Sequence, residues 1–234
     1  MLTENTRGNE DYAVGTIKGQ NAETGKIHEL DTNEIYLTKD GNETAAPYPY
    51  GFDPTFHRYR LAELRKTTKP QTVFVCSMAD MFGEWVPDGW ITEIFRACDA
   101  ASWHRYLFLT KNPQRCRYFA GHFRENTWLG ITSTHFVDGI MPGARELLES
   151  KHQNLFVSME PMLASMHLGV LEHYLKWVIV GAETGNRKGK IIPKREWIES
   201  IVEACKEANI PVFLKNSLAE IWQGPLIQEF PWKE

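Results

Sequence analysis

Six short apolar runs in this chain each lead into a side chain that can do chemistry. The runs are Thr72–Ser77, Tyr106–Thr110, Thr127–Thr132, Leu155–Ser158, Trp177–Val180 and Val212–Leu214. Just beyond them stand Asp80, Lys111, Ser133, Glu160, Glu183 and the pair Lys215 and Asn216. In a wound α/β protein the C-terminal ends of the strands open on one face, so these groups are expected to converge there.

Each candidate has a chemical reading and a plainer one. Asp80, in the segment Ser77-Met78-Ala79-Asp80, can orient a ligand hydroxyl or act as a general base. A loop or cap hydrogen bond is its alternative. Lys111, before Asn112-Pro113, can hold an anionic group beside a helix start, or it is a solvated lysine. Glu160 stands one residue past an apolar run and before Pro161. A carboxylate so placed is costly unless paired, and Lys111, Lys215 or a ligand can pair it. A structural ion pair is the rival reading. Lys215 can form a Schiff base, bind an anion, or pair with Glu160 or Glu183.

The segment Gly181-Ala182-Glu183-Thr184-Gly185-Asn186-Arg187-Lys188-Gly189-Lys190 is the strongest local signal. Its three glycines permit close backbone approach to a ligand. Glu183 can accept hydrogen bonds from ribose hydroxyls or an amine, with Asn186 beside it. Arg187, Lys188 and Lys190 can meet phosphate or carboxylate, or form an exposed basic turn. This is not a Walker loop: Ile191 follows the Gly-Lys pair and Thr184 occupies the upstream glycine position. A dinucleotide fingerprint and a nucleophile elbow are also absent from the sequence. The mixture Phe52, Phe56, His57, Arg58, Tyr59 and Arg60 can stack on nucleic acid or pack as a linker. His57 has no histidine neighbours at metal-ligand spacing.

The elements that must position these groups alternate along the chain. Asp88 to Ala101 places Trp90, Ile91, Ile94, Phe95 and Cys98 on one helical face, and Trp197, Ile198, Ile201, Val202 and Cys205 repeat the stripe. Pro113 and Pro193 suit helix starts. Leu147 and Leu148, then Leu168, Leu171 and Leu175, mark weaker helices. The order predicts an α/β fold: about six parallel strands in a partial or incomplete TIM-like (β/α) barrel. Residues 1–50 are polar, with weak apolar clusters at Ile27–Leu30 and Ile35–Leu37. They read as an irregular N-terminal arm or short hairpin, ahead of a single barrel-like domain over 51–234.

The 234 residues suffice for one sizeable core, and 42% hydrophobic with 24% charged residues is ordinary for a globular chain. A net charge of -4 excludes a uniformly basic nucleic-acid binder, though not a local basic patch. No apolar run reaches the roughly 18 residues a membrane helix needs. The polar start does not read as a signal peptide, which makes a cytoplasmic location the expectation. The four cysteines, Cys76, Cys98, Cys116 and Cys205, show neither metal-pair nor disulfide spacing. Cys98 and Cys205 continue helical stripes and read as buried thiols.

Taken together, FDPTFHRYRL, VFVCSMADMFGEWVP, HRYLFLTKNP, FVSMEP, WVIVGAETGNRKGKIIP and PVFLKNS resemble an uncharacterised phage and bacterial family of radical-SAM-like proteins, distantly similar to spore photoproduct lyase. The resemblance runs over about residues 48–232 in conserved motif order. It implies a barrel that binds S-adenosylmethionine and a [4Fe-4S] cluster held by three cysteines ahead of the FDPTFH segment. Residues 1–51 contain no cysteine, so the cluster ligands are missing from this chain. A fragment begun at an internal methionine is the favoured expectation, a divergent member that abandoned radical chemistry the other.

The resemblance therefore implies a radical-SAM-like core without its own cluster segment. Asp80, Lys111, Glu160 and Lys215 are the expected catalytic groups. Ser77, Glu183, Asn186 and Asn216 are the expected cofactor contacts, with Glu183 and Asn186 on the nucleoside. A nucleotide or nucleic acid is the expected partner. The alternatives are a nucleic-acid-binding phage-type interaction protein on a decayed scaffold, and a metal-independent barrel lyase using Lys215 and Glu160.

Overall fold

The computed structural model describes residues 2–3, 27–32, 35–37, 43–45, 50, 53–77, 79–137 and 141–232. Most of the expected arm, residues 1–50, lies outside the described residues. The strands are β1 (Leu2–Thr3), β2 (His28–Leu30), β3 (Ile35–Leu37), β4 (Glu43–Ala45), β5 (Thr55–His57), β6 (Thr72–Phe74), β7 (Arg105–Thr110), β8 (Thr127–Thr132), β9 (Leu155–Met159), β10 (Leu175–Val180) and β11 (Val212–Leu214). The α-helices are α1 (Asp88–Asp99), α2 (Pro113–Tyr118), α3 (Ala144–Glu149), α4 (Arg195–Glu207) and α5 (Ala219–Trp222). The fold is α/β, with a six-stranded sheet in the order β11-β10-β9-β8-β7-β6, an incomplete TIM-like arrangement. The pairings β8 with β9, β9 with β10, and β10 with β11 are parallel.

The chain divides into two compact units, residues 1–106 and 107–234. In the first, β5 is the centre of a three-stranded sheet, antiparallel to β1 and parallel to β2. Of the two apolar clusters, Ile35–Leu37 forms β3, antiparallel to β4, and Ile27–Leu30 supplies β2, which joins β5. Arg58 ties this unit together, reaching Glu93 and Asp31 at 2.8 Å and Glu29 at 2.9 Å. Helix α1 buries Trp90, Ile91, Ile94, Phe95 and Cys98, the whole of its predicted stripe. Strand β6 stops at Phe74, short of the expected Ser77, because Cys76 takes a left-handed φ of 55° that ends extended backbone.

In the second unit the register sorts side chains by face. Trp177 pairs with Phe156, Ile179 with Ser158 and with Phe213, and Gly130 with Phe156. Side chains alternate along a strand, so Trp128, Phe156, Trp177, Ile179 and Phe213 share one face. The other face carries Leu129, Ile131, Leu155, Val157, Met159, Val178, Val180, Val212 and Leu214, all buried. Helix α4 buries Ile198, Ile201 and Cys205, while Trp197 and Val202 of its stripe are half-buried. Leu168 and Leu171 belong to a short 3-10 segment, and Leu175 begins β10 instead of extending a helix.

The first face is aromatic towards the strand starts. Leu107, Trp128, Phe156, Trp177 and Ile179 cluster there, joined by Phe213, Phe230 and Trp232. The Phe156 ring fits because Gly130 has no side chain: a Cβ there would lie 2.4 Å from it. The C-terminal segment closes over this cluster. Leu214 N–H donates to Ile227 O at 2.8 Å, Glu229 N–H donates to Val212 O at 3.0 Å, and Trp177 Nε1 donates to Glu229 O at 2.9 Å. Backbone bonds from residues 227 and 229 thus cover the edge of β11.

Candidate functional site

Continuing the same face two residues past Ser158, Ile179 and Phe213 leads to Glu160, Gly181 and Lys215. The ladder itself runs past the strand ends: Lys215 N–H donates to Val180 O at 2.9 Å and Gly181 N–H to Met159 O at 3.1 Å. Glu160 and Lys215 therefore leave β9 and β11 at one edge, on either side of β10. Lys215 Nζ lies 2.7 Å from the Glu160 carboxylate. Gly181 makes this possible. A Cβ on it would stand 2.9 Å from Glu160 Cδ and Oε1. Both charged side chains are only partly buried, which leaves a ligand access to either.

Ala182, the first residue after Gly181, is held from the short turn that follows β11. Ser217 Oγ accepts the Ala182 N–H at 3.0 Å, and the Glu160-Pro161 bond is cis. Glu183 is already engaged. Arg187 Nε and Nη2 donate to its two oxygens at 2.5 and 2.8 Å. That bidentate bond holds the Glu183 carboxyl below its ordinary range, against the opposing effect of burial. A ribose or amine reaching Glu183 must share it with, or displace, Arg187. Asn186 is exposed on the turn made by Gly185 and Gly189, whose φ values are 86° and 75°. Asn216 is exposed and its Oδ1 accepts Gln228 Nε2 at 3.2 Å.

Lys111 follows β7 and is exposed, next to Asn112, which caps α2 by accepting the Arg115 N–H at 3.3 Å. Asp80 and Ser77 belong to the first unit. Asp80 Oδ1 accepts the Phe82 N–H at 3.0 Å in a side-chain turn, and Ser77 is exposed. Of the expected groups, Glu160 and Lys215 are thus in direct contact, while Glu183 is bonded within its own loop. Ser217 was not among the expected groups, and Ser158 entered only as the end of an apolar run. Ser158 is 2% exposed on the site's face, two residues before Glu160. Its signal was alternation along β9; Ser217 had none.

A cleft of about 830 Å³ opens at the other end of these strands, lined by Asn154, His173, Lys176 and Pro211 among others. Its one pair among the described residues, His173 Nε2 with Glu172 at 3.7 Å, is exposed and joins sequence neighbours, so the C-terminal edge, where groups from separate strands converge, carries the candidate site.

A [4Fe-4S] cluster needs several accessible thiolates converging on it. Cys76, Cys98, Cys116 and Cys205 are all buried, and none is in a disulfide. Burial pushes the Cys98 thiol far up and Cys205 up to about 12, so both stay protonated. Among the described residues no three His, Cys, Asp or Glu side chains group as metal ligands. These four cysteines do not fit a cluster. Among the described residues no helix is long and apolar enough to cross a membrane.

Residues 33–222 match the family described as "Protein of unknown function (DUF5131)", and the chain belongs to that family. No curated protein sequence matches it. A solved structure of a spore photoproduct lyase point mutant is similar to it at 10% identity, with 80% of each chain covered and a TM-score of 0.49.

Proposed function

We propose that this chain is a radical-SAM-like barrel core whose C-terminal strand edge binds a zwitterionic nucleoside of the S-adenosylmethionine class. The observation that carries the reading is the Glu160–Lys215 pair at 2.7 Å, half-open to solvent across Gly181. An amino-acid group presents an ammonium and a carboxylate together. Glu160 accepts the first and Lys215 donates to the second, so each protein charge exchanges one partner for another and none is left buried alone. The Glu183 carboxylate, shared with Arg187, supplies an anionic acceptor for the nucleoside. Bound S-adenosylmethionine supplies an activated sulfonium. The protein's part is to fix its amino-acid end and turn the sulfur towards the strand edge.

The four buried cysteines of this chain do not hold a cluster in this reading. The rival reading, a metal-independent lyase, uses Lys215 as a Schiff-base nucleophile. The ion pair favours Lys215 as a charge-holding group instead.

Isothermal titration with S-adenosylmethionine tests the reading. Binding to the wild type and at least tenfold weaker binding to Lys215→Met and Glu160→Gln are expected. No binding, or equal binding by all three folded proteins, overturns it. Borohydride trapping of a carbonyl compound on Lys215 would favour the lyase.

A further inference from the structure

The connection between β10 and α4 carries a charge pattern that the mouth does not use. From Thr184 to Arg195 it holds five cations and no carboxylate, in a chain whose net charge is -4. Two of the five are committed: Arg187 to Glu183, and Arg195 to Glu199 at 2.7 Å. Lys188, Lys190 and Lys194 are exposed. Among the described residues, none of the three has a carboxylate within ion-pair distance. Lys190 Nζ only reaches back to Gly185 O at 3.4 Å.

Apolar and aromatic groups interleave with these cations. Ile191 and Ile192 are 41% and 64% exposed between Lys190 and Pro193, while Pro193 is buried and anchors the loop. Lys194 Nζ sits 5.8 Å from the Trp197 ring centroid, and Arg195 the same distance from Trp222. Several cations beside apolar surface match a flexible strand of phosphates whose bases need something to lie on. A duplex keeps its bases stacked and has no use for the isoleucines. A lipid surface needs more apolar side chains than two.

We propose that residues 184–195 are a docking surface for single-stranded nucleic acid. Lys188, Lys190 and Lys194 contact successive phosphates, and Ile191 and Ile192 pack against bases. This goes beyond the nucleoside reading and does not depend on it: calorimetry with S-adenosylmethionine reads the strand edge, and an oligonucleotide reads the loop.

The test is fluorescence anisotropy of the full chain with a labelled twelve-nucleotide single-stranded DNA across a salt series. The wild type binds at low salt. For Lys188→Gln, Lys190→Gln and Lys194→Gln combined, affinity falls more than tenfold. The slope of log affinity against log salt shrinks by about 0.7 for each lysine removed. Ile192→Ser, which keeps the charge, weakens binding with the salt slope unchanged. The proposal is overturned if the wild type does not bind, or if the folded triple variant keeps its affinity and slope. Equal competition by poly-glutamate, or stronger binding to anionic phospholipid vesicles than to the oligonucleotide, also overturns it.

Discussion

Glu160 and Lys215 meet at 2.7 Å although the strands that carry them are not neighbours in the sheet. Strand β10 lies between β9 and β11, and the contact passes over the one residue there that has no side chain, Gly181. The geometry of the site thus depends on a glycine whose φ is not in the left-handed region. Its role is steric clearance, not backbone freedom.

Gly181→Ala follows directly. The new Cβ would collide with the Glu160 carboxylate at 2.9 Å, so the side chain must swing away from Lys215. The backbone is not strained, and a stability loss of about 1–2 kcal/mol is expected. Ligand affinity should fall as far as in Glu160→Gln. Unchanged affinity in the folded variant would show that the pair is not what the ligand meets.

The pair itself should be worth little to the fold. Its charges are 26% and 44% exposed, and such pairs contribute about 0–1 kcal/mol. A double-mutant cycle with Glu160→Gln and Lys215→Met in urea should give a coupling within that range. A coupling of several kcal/mol would mark the pair as a structural element.

The aromatic cluster is where stability should reside. Trp177 packs on Phe156, Phe213, Phe230 and Trp232, with centroids 5.1 to 6.1 Å away, and spends its N–H on Glu229. Trp177→Ala should cost about 3–5 kcal/mol by chemical denaturation. Gly130→Ala, which drives a methyl into the Phe156 ring, should cost about 1–3 kcal/mol. Near-wild-type midpoints for both would contradict this packing.

His57 should make the first unit acid-sensitive. It is 1% exposed, and burial lowers its pKa from the ordinary 6.5 to about 4. The unfolded chain therefore binds a proton more readily than the fold does between those values. The stabilisation is complete above pH 6.5 and is lost as pH falls towards 4, by roughly 3 kcal/mol. His57→Gln should flatten the slope of stability against pH in that window by close to one proton. An unchanged slope would show that His57 titrates normally.

Much of the sheet could be read from local pattern. The runs at Thr127–Thr132 and Val212–Leu214 coincide with β8 and β11, because buried parallel strands are continuous apolar runs. Helix α1 and its five buried residues followed from a 3.6-residue stripe. Failures came where a distant partner decides the outcome. An irregular arm or short hairpin over residues 1–50 does not foresee that Thr55–His57 takes β2 as a parallel neighbour. Leu175 fitted a leucine stripe, yet pairing with Leu155 makes it a strand residue. The segment after Pro225 has no periodicity, and its bonds to β11 and Trp177 and the packing of Phe230 and Trp232 on the sheet order it. At the site, strand-end position suggested Glu160 and Lys215 separately. Their contact, and the clearance at Gly181, depend on residues 55 positions apart in sequence meeting across a third strand.

The most direct test of the central claim compares two ligands that differ only at the end Glu160 and Lys215 are proposed to hold. S-adenosylhomocysteine, a neutral thioether like 5′-methylthioadenosine, carries the ammonium and carboxylate, and 5′-methylthioadenosine lacks both. Calorimetry should show the wild type preferring the former by at least tenfold and Lys215→Met binding the two alike. A wild type that does not discriminate, or a Lys215→Met variant that keeps the preference, would contradict the account.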